Sequence, residues 1–139
     1  MRRAHTLPEL VLTLALVALL TTMAVPSAAA AAHRWAMRAA VAEIVDALVY
    51  AREAALTRGA TATFTVNSAR GEVTVTCAGD TILRRAVAAL HGVRLAASGD
   101  SVRYAPDGLA TGVSNTTVLV TRSGRVDSVV VSRVGRVRW

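Results

Sequence analysis

A chain of 139 residues has room for one domain, and with 4% aromatics its core must come mainly from Val, Leu and Ala, which favours a modest β-sheet packed on a helix. Its 16 basic residues are all arginine against 9 acidic ones, a formal net charge of +7, and the guanidinium fork suits phosphate and carboxylate. The single cysteine, Cys77, excludes an intrachain disulfide, so an exported domain of this sequence is held by packing or by assembly.

The first element is an apolar run. Leu10 to Ala32 carry no charged side chain, and a helix over those 23 residues rises about 35 Å, enough for a hydrocarbon core of about 30 Å. Arg2 and Arg3 before it keep that end in the cytoplasm and send the chain after about residue 33 across the membrane. One carboxylate, Glu9, stands at the head of the run, where it costs a few kcal/mol unless a partner answers it. A second reading is an ordinary secretory signal, because Val25-Pro26-Ser27-Ala28-Ala29-Ala30 offers small-residue cleavage sites that would release a soluble β-domain. An acidic residue opening the apolar run is atypical of such signals, and Arg2-Arg3 lacks the rest of a twin-arginine motif.

Arg2-Arg3-Ala4 followed by His5-Thr6-Leu7-Pro8-Glu9-Leu10 resembles the class III signal of type IV pilins and type II secretion pseudopilins. Ala4 stands where that family most often has Gly, and His5 where it most often has Phe. The resemblance implies that a prepilin peptidase cuts between Ala4 and His5, methylates the new amino terminus and leaves the helix as an assembly stem. It divides the chain into a leader (1–4), a helical stem (5–58, membrane part about 9–32) and an antiparallel β-sheet globular domain (59–139). A free amine on His5 then lies one helical turn, about 6 Å of rise, from Glu9. The carboxylate can answer the amine of its own or a neighbouring subunit and favours the positive helix N-terminus.

Beyond the apolar run, His33-Arg34-Trp35 suits the passage from bilayer to water, and Pro26 falls where such stems bend or end. Met37, Val41, Ile44, Leu48, Ala51 and Ala55 then recur in steps of three and four, which predicts a helical stripe facing a sheet. Glu43, Asp46, Tyr50, Glu53 and Thr57 fall on another face, assigned to solvent or a neighbouring subunit. Arg58 and Gly59 stop the helix. Thr61–Val66 and Glu72–Cys77 alternate with period two around residues 67–71, a predicted β-hairpin. Thr81 to Leu90 reads equally as a short helix or an interrupted strand. Short strands follow at 93–95 and 101–104, with a turn over Ala105-Pro106-Asp107-Gly108. The tail gives strands at 116–122, 125–133 and 136–139, separated by Ser123-Gly124 and Val134-Gly135. A long helix followed by an antiparallel sheet is α+β.

Three blocks narrow the resemblance to the GspH/FimT branch, the minor pseudopilins and minor type IV pilins: Ala51–Gly59, Tyr104–Gly108, and Val129–Ser132 running into Gly135-Arg136-Val137-Arg138. It implies a pilin-like fold and a single-pass protein of the bacterial inner membrane with its globular domain in the periplasm. Its partners would be the prepilin peptidase, other pilin or pseudopilin subunits in a helical fibre, and an exported protein cargo. The Gly135-Arg136-Val137-Arg138 ending also resembles the one through which DNA-uptake members of the branch are thought to hold DNA, with Arg133 beside it. Sequence-independent, salt-dependent contact with phosphates would follow. Arginines on an exposed edge strand also discourage edge-to-edge aggregation.

The residues offer no catalytic constellation. His5, His33 and His91 share no metal-ligand spacing, Cys77 has no partner cysteine, and neither a nucleophile elbow nor a Gly-rich phosphate loop is present. The sequence is therefore read as a non-enzyme without catalytic residue, metal or cofactor.

Overall fold

The computed structural model describes residues 6–99, 101–111, 115–132 and 134–139. Two compact units divide between Arg34 and Trp35.

The first unit carries the start of helix α1 (Leu7–Arg58). Its apolar side chains, Leu10, Leu14, Val17 and Leu20 among them, are exposed, so nothing within the unit covers them. The polar groups interrupting this surface satisfy themselves. Thr13 donates its hydroxyl to the Leu10 carbonyl at 2.9 Å, Thr21 to those of Val17 and Ala18 at 3.0 and 2.9 Å, and Thr22 to that of Leu19 at 2.7 Å. Such back-bonding lets hydroxyls sit in hydrocarbon without orphaned donors. By length and composition α1 is able to cross a membrane.

In the second unit the stripe foreseen on α1 is the floor of the core: Met37, Val41, Ile44, Leu48, Ala51 and Ala55 are all buried. Alanines at 40, 47, 51, 54 and 55 let sheet backbones approach the helix closely. Strands β1 (Ala62–Asn67) and β2 (Glu72–Cys77) form the expected hairpin in unbroken register from Ala62↔Cys77 to Asn67↔Glu72. Their inward residues Phe64, Val66, Val73 and Val75 are buried, while the intervening threonines are half-exposed. The ambiguous stretch after Cys77 holds both structures offered for it, in sequence. Strand β3 (Asp80–Arg85) pairs with β2 across an irregularity at Val75/Thr76, and a single-turn helix α2 (Val87–His91) follows, ended by Gly92 at φ +61°. Strands β4 (Arg94–Ala97) and β5 (Ser101–Tyr104) lie close to their expected places, and a two-residue strand β6 (Ala110–Thr111) carries no sequence signal of its own. β7 (Thr116–Arg122), β8 (Arg125–Val131) and the short β9 (Val137–Arg138) close the chain.

The α+β expectation holds, but the strands form two antiparallel sheets. One runs β3-β2-β1-β5-β6 and the other β4-β7-β8-β9. The chain leaves the first sheet at α2, places β4 in the second, and returns with β5 to pair with β1 from Ala62↔Tyr104 to Thr65↔Ser101. Alternation along one strand cannot reveal this crossing, because every strand shows the same inward and outward pattern whichever sheet receives it. Val118, Val120, Val129 and Val131 from the second sheet and Phe64, Val73 and Val75 from the first belong to one core with Ile44 and Leu48.

Candidate functional site

Two places were singled out by sequence, the carboxylate near the amino terminus and the arginines near the carboxyl terminus. Ala4, His5 and Arg133 lie outside the described residues. Glu9 is exposed in the first turn of α1, and its Oε2 accepts a long hydrogen bond, 3.4 Å, from the Thr6 backbone N–H. The Thr6 carbonyl in turn accepts from the N–H groups of Glu9 and Leu10 at 3.0 and 3.2 Å. Thr6-x-x-Glu9 is thus half of a capping box, a signal present in the sequence that supplies Glu9 with a local role beside any intermolecular one.

The arginine ending is built by a tight turn. The Ser132 N–H donates to the Arg136 carbonyl at 2.9 Å, Gly135 N–H to the Ser132 carbonyl at 2.8 Å, and Arg136 N–H to the Ser132 hydroxyl at 3.1 Å. The turn folds β9 against the last residues of β8, pairing Val130↔Arg138 and Val131↔Val137. Gly135 has φ +76°, and a Cβ there would stand 3.2 Å from the Tyr104 ring, so only glycine fits without displacement. Arg136 and Arg138 consequently line one open cavity of 380 Å³ with Asn115, Val130, Ser132 and Val134. The structure brings these two guanidinium-bearing residues together. Arg122 is engaged elsewhere, donating to the His91 carbonyl.

The blocks that carried the branch resemblance also meet in space. Gly108, at φ +77° in the turn after β5, closes on the Leu56 side chain, while Tyr104 of the same block lies under Gly135. The Gly108 N–H donates to the Ala105 carbonyl at 2.8 Å, and Asp107 Oδ1 accepts from the Leu109 N–H at 2.9 Å. The helix end, the middle turn and the last turn therefore fix one another. Tyr104 is buried, which pushes its phenol above the usual 10.0, and the Arg52 guanidinium draws it partly back.

One polar cluster escaped the sequence reading. Glu43, expected on the outward face of α1, accepts at Oε2 from His91 Nε2 at 2.7 Å and at Oε1 from Arg85 at 3.2 Å, and its side chain is only 12% exposed. Glu43 and His91 are 48 residues apart, a pairing no local pattern signals. Cys77 is buried, with its thiol 3.8 Å from the Ala54 carbonyl. Among the described residues no three His, Cys, Asp or Glu side chains gather as metal ligands.

A long apolar N-terminal helix followed by antiparallel sheets packed on its later turns defines the pilin-like class of α+β proteins. Residues 40–135 match the family described as type II transport protein GspH, and the chain belongs to that family. The fold is similar to that of the type IV minor pilin FimU of Pseudomonas aeruginosa in two crystal forms. In one the TM-score is 0.63 at 13% identity, covering 76% of this chain and 88% of that one; in the other it is 0.59 at 12% identity, covering 73% and 90%. No curated protein sequence matches the chain significantly. The family match lies entirely downstream of Glu9, in the unit that holds the sheets.

Proposed function

We propose that this protein is a minor pseudopilin of a type II secretion-like machine, with a structural and assembly role in protein export. The observation that carries this reading is α1 itself: one helix whose early apolar surface is exposed and self-satisfied, and whose later turns are the floor of a β-domain. In this account a prepilin peptidase removes residues 1–4 and methylates His5, and the stem holds the subunit in the inner membrane with the β-domain in the periplasm. Neighbouring stems then pack in staggered register in a helical fibre, because a head-to-tail contact propagates where a two-fold contact closes. Glu9 sets registry by answering the amine of a neighbouring subunit. The sheets contact other minor subunits or an exported protein. Family membership and fold support the reading.

The test is the intact mass of the mature protein from bacterial membranes. Loss of residues 1–4 with gain of one methyl group is the expected result. Loss of about 30 residues, as signal peptidase would produce, returns the chain to the class of secreted soluble domains and removes the stem from the account.

The shared cavity of Arg136 and Arg138 favours a second reading, a minor type IV pilin that holds DNA without sequence preference, to which Arg133 is assigned by its place in the sequence alone. Full-length protein in detergent should then shift duplex DNA at low salt. Arg136→Ala/Arg138→Ala should weaken the shift and lower the slope of log affinity against log salt by about two, one per lost phosphate contact. Absence of a shift at low salt removes this reading and leaves the secretion role untouched.

A further inference from the structure

Both sheets line one core, so each turns a face outward, and the two outer faces differ. On the first, the registers set Thr65 beside Thr74 and Ser101, and Thr63 beside Thr76 and Arg103. These are hydroxyls and a guanidinium, side chains at home in water. On the second, Leu119 stands between Ala96 and Ser128, Val126 beside Thr121, and Val130 between Thr117 and Arg138. Leu119 lies diagonally next to both Val126 and Val130, within reach of each, so the three form one aliphatic patch. Leu119 is 39% exposed and Val126 62%, while Val130 is half-buried. Threonine suits an outward strand position as valine does, and the first sheet uses it there; the second presents aliphatic side chains to water instead.

Arginines bracket the patch. Arg94 stands opposite Thr121 at one corner of the face, and Arg138 stands opposite Val130 at the other. From β4 to β9 is three strand spacings, and the two rows are four residues apart along β8, so the corners lie about 14 Å apart in each direction and about 20 Å on the diagonal. The cavity lined by Arg136 and Arg138 carries the face on past Val130 to the exposed Val134. No strand of this sheet puts a carboxylate here: its single acid, Asp127, is on the core side of β8 with Val129 and Val131. Among the described residues, Arg94, Arg136 and Arg138 have no carboxylate within ion-pair distance.

We propose that this face docks an amphipathic helix of a partner protein whose apolar stripe is bracketed by carboxylates, one held by Arg94 and the other by Arg136 and Arg138. A sheet face, unlike an edge, offers side chains and no backbone groups, and a helix laid across it answers with one stripe of its own. A helix of about 15 residues covers the distance between the two corners. Carboxylates suit the guanidinium fork, and nothing acidic on this face competes for it. The aliphatic centre selects protein over nucleic acid, whose apolar contacts are made by stacking on aromatic rings. Trp139 falls on the opposite side of β9 from Arg138, beside α1. That the partner is the exported protein rests on the export reading; the site and its chemistry do not.

The probe is a fluorescein-capped, amidated peptide, Glu-Ala-Gln-Leu-Ala-Gln-Ala-Leu-Ala-Gln-Leu-Ala-Gln-Ala-Glu, whose leucines and terminal glutamates share one helical face. It is titrated into full-length protein in detergent micelles, with protein-free micelles as the baseline. A saturable rise in anisotropy above that baseline is expected. Leu119→Thr/Val126→Thr, which gives the second sheet the surface of the first, should weaken binding by about tenfold. Arg94→Gln/Arg138→Gln, or glutamine at both peptide ends, should also weaken it by about tenfold. If the double threonine variant fails to fold, Val126→Thr alone serves, at a position already open to water. The proposal is overturned if binding never saturates, if the threonine variant binds as well as the native chain, or if the glutamine-ended peptide binds as well as the glutamate-ended one. Duplex DNA that loses as much affinity as the peptide in the threonine variant makes this a nucleic-acid surface and overturns it too. An intact mass that refutes the fibre leaves the titration unaffected, so the two failures are told apart.

Discussion

Gly135 shows how a single backbone position sets the geometry of the arginine ending. Its positive φ lets the Ser132–Arg136 turn close, and its missing side chain lets that turn rest on Tyr104. Gly135→Ala should cost about 1–3 kcal/mol through left-handed strain and displacement of the ring. The lost stability would be read from chemical unfolding, and a weaker DNA shift, if that reading holds, should accompany it because β9 carries Arg138. Tyr104 makes a second prediction. Its folded-state pKa is raised by burial, so the neutral phenol is the form the fold favours. The stability it contributes is fully present below 10.0 and is lost as pH rises through the higher folded value, because the unfolded chain releases the proton first. Unfolding curves of the native chain and Tyr104→Phe should therefore run parallel below pH 10.0 and separate above it, with the native chain falling.

At the scale of elements, Glu43 ties the underside of α1 to β3 and α2. One carboxylate takes a hydrogen bond from Arg85 at the end of β3 and another from His91 at the end of α2. Arg122 of β7 reaches the carbonyl of that same His91, so helix, first sheet and second sheet meet at one polar junction. Glu43→Ala strips His91 and Arg85 of their shared acceptor and should destabilise the second unit by about 1–3 kcal/mol, with Glu43→Gln losing less. Hydrogen exchange should locate the loss: amides of β3 and α2 exchange faster in Glu43→Ala while those of the β1–β2 hairpin change least. A uniform change over the sheets would mean that the junction holds nothing in particular.

At the scale of the whole molecule, what is legible in sequence is what repeats over short distances. The stripe from Met37 to Ala55, the stop at Arg58-Gly59, the hairpin of β1 and β2 and the three strands of the tail all follow from period and turn chemistry, and the structure places them within a residue or two, with β8 and β9 slightly shorter than expected. Residues 78–92 were ambiguous because six residues of mixed polarity on an edge strand carry neither period cleanly, and a single helical turn is too short to show one. The apolar run, the carboxylate at its head and the arginine-rich ending are fixed by the order of residues alone, since they need no contact to be recognised. Tertiary structure decided the rest. The division into two sheets, the capture of Glu43 by His91 and the meeting of Arg136 with Arg138 in one cavity all depend on chain segments brought together by the fold. A strand's own alternation says which side is buried but is silent about which neighbour lies along its edge, because backbone hydrogen bonds carry no side-chain identity.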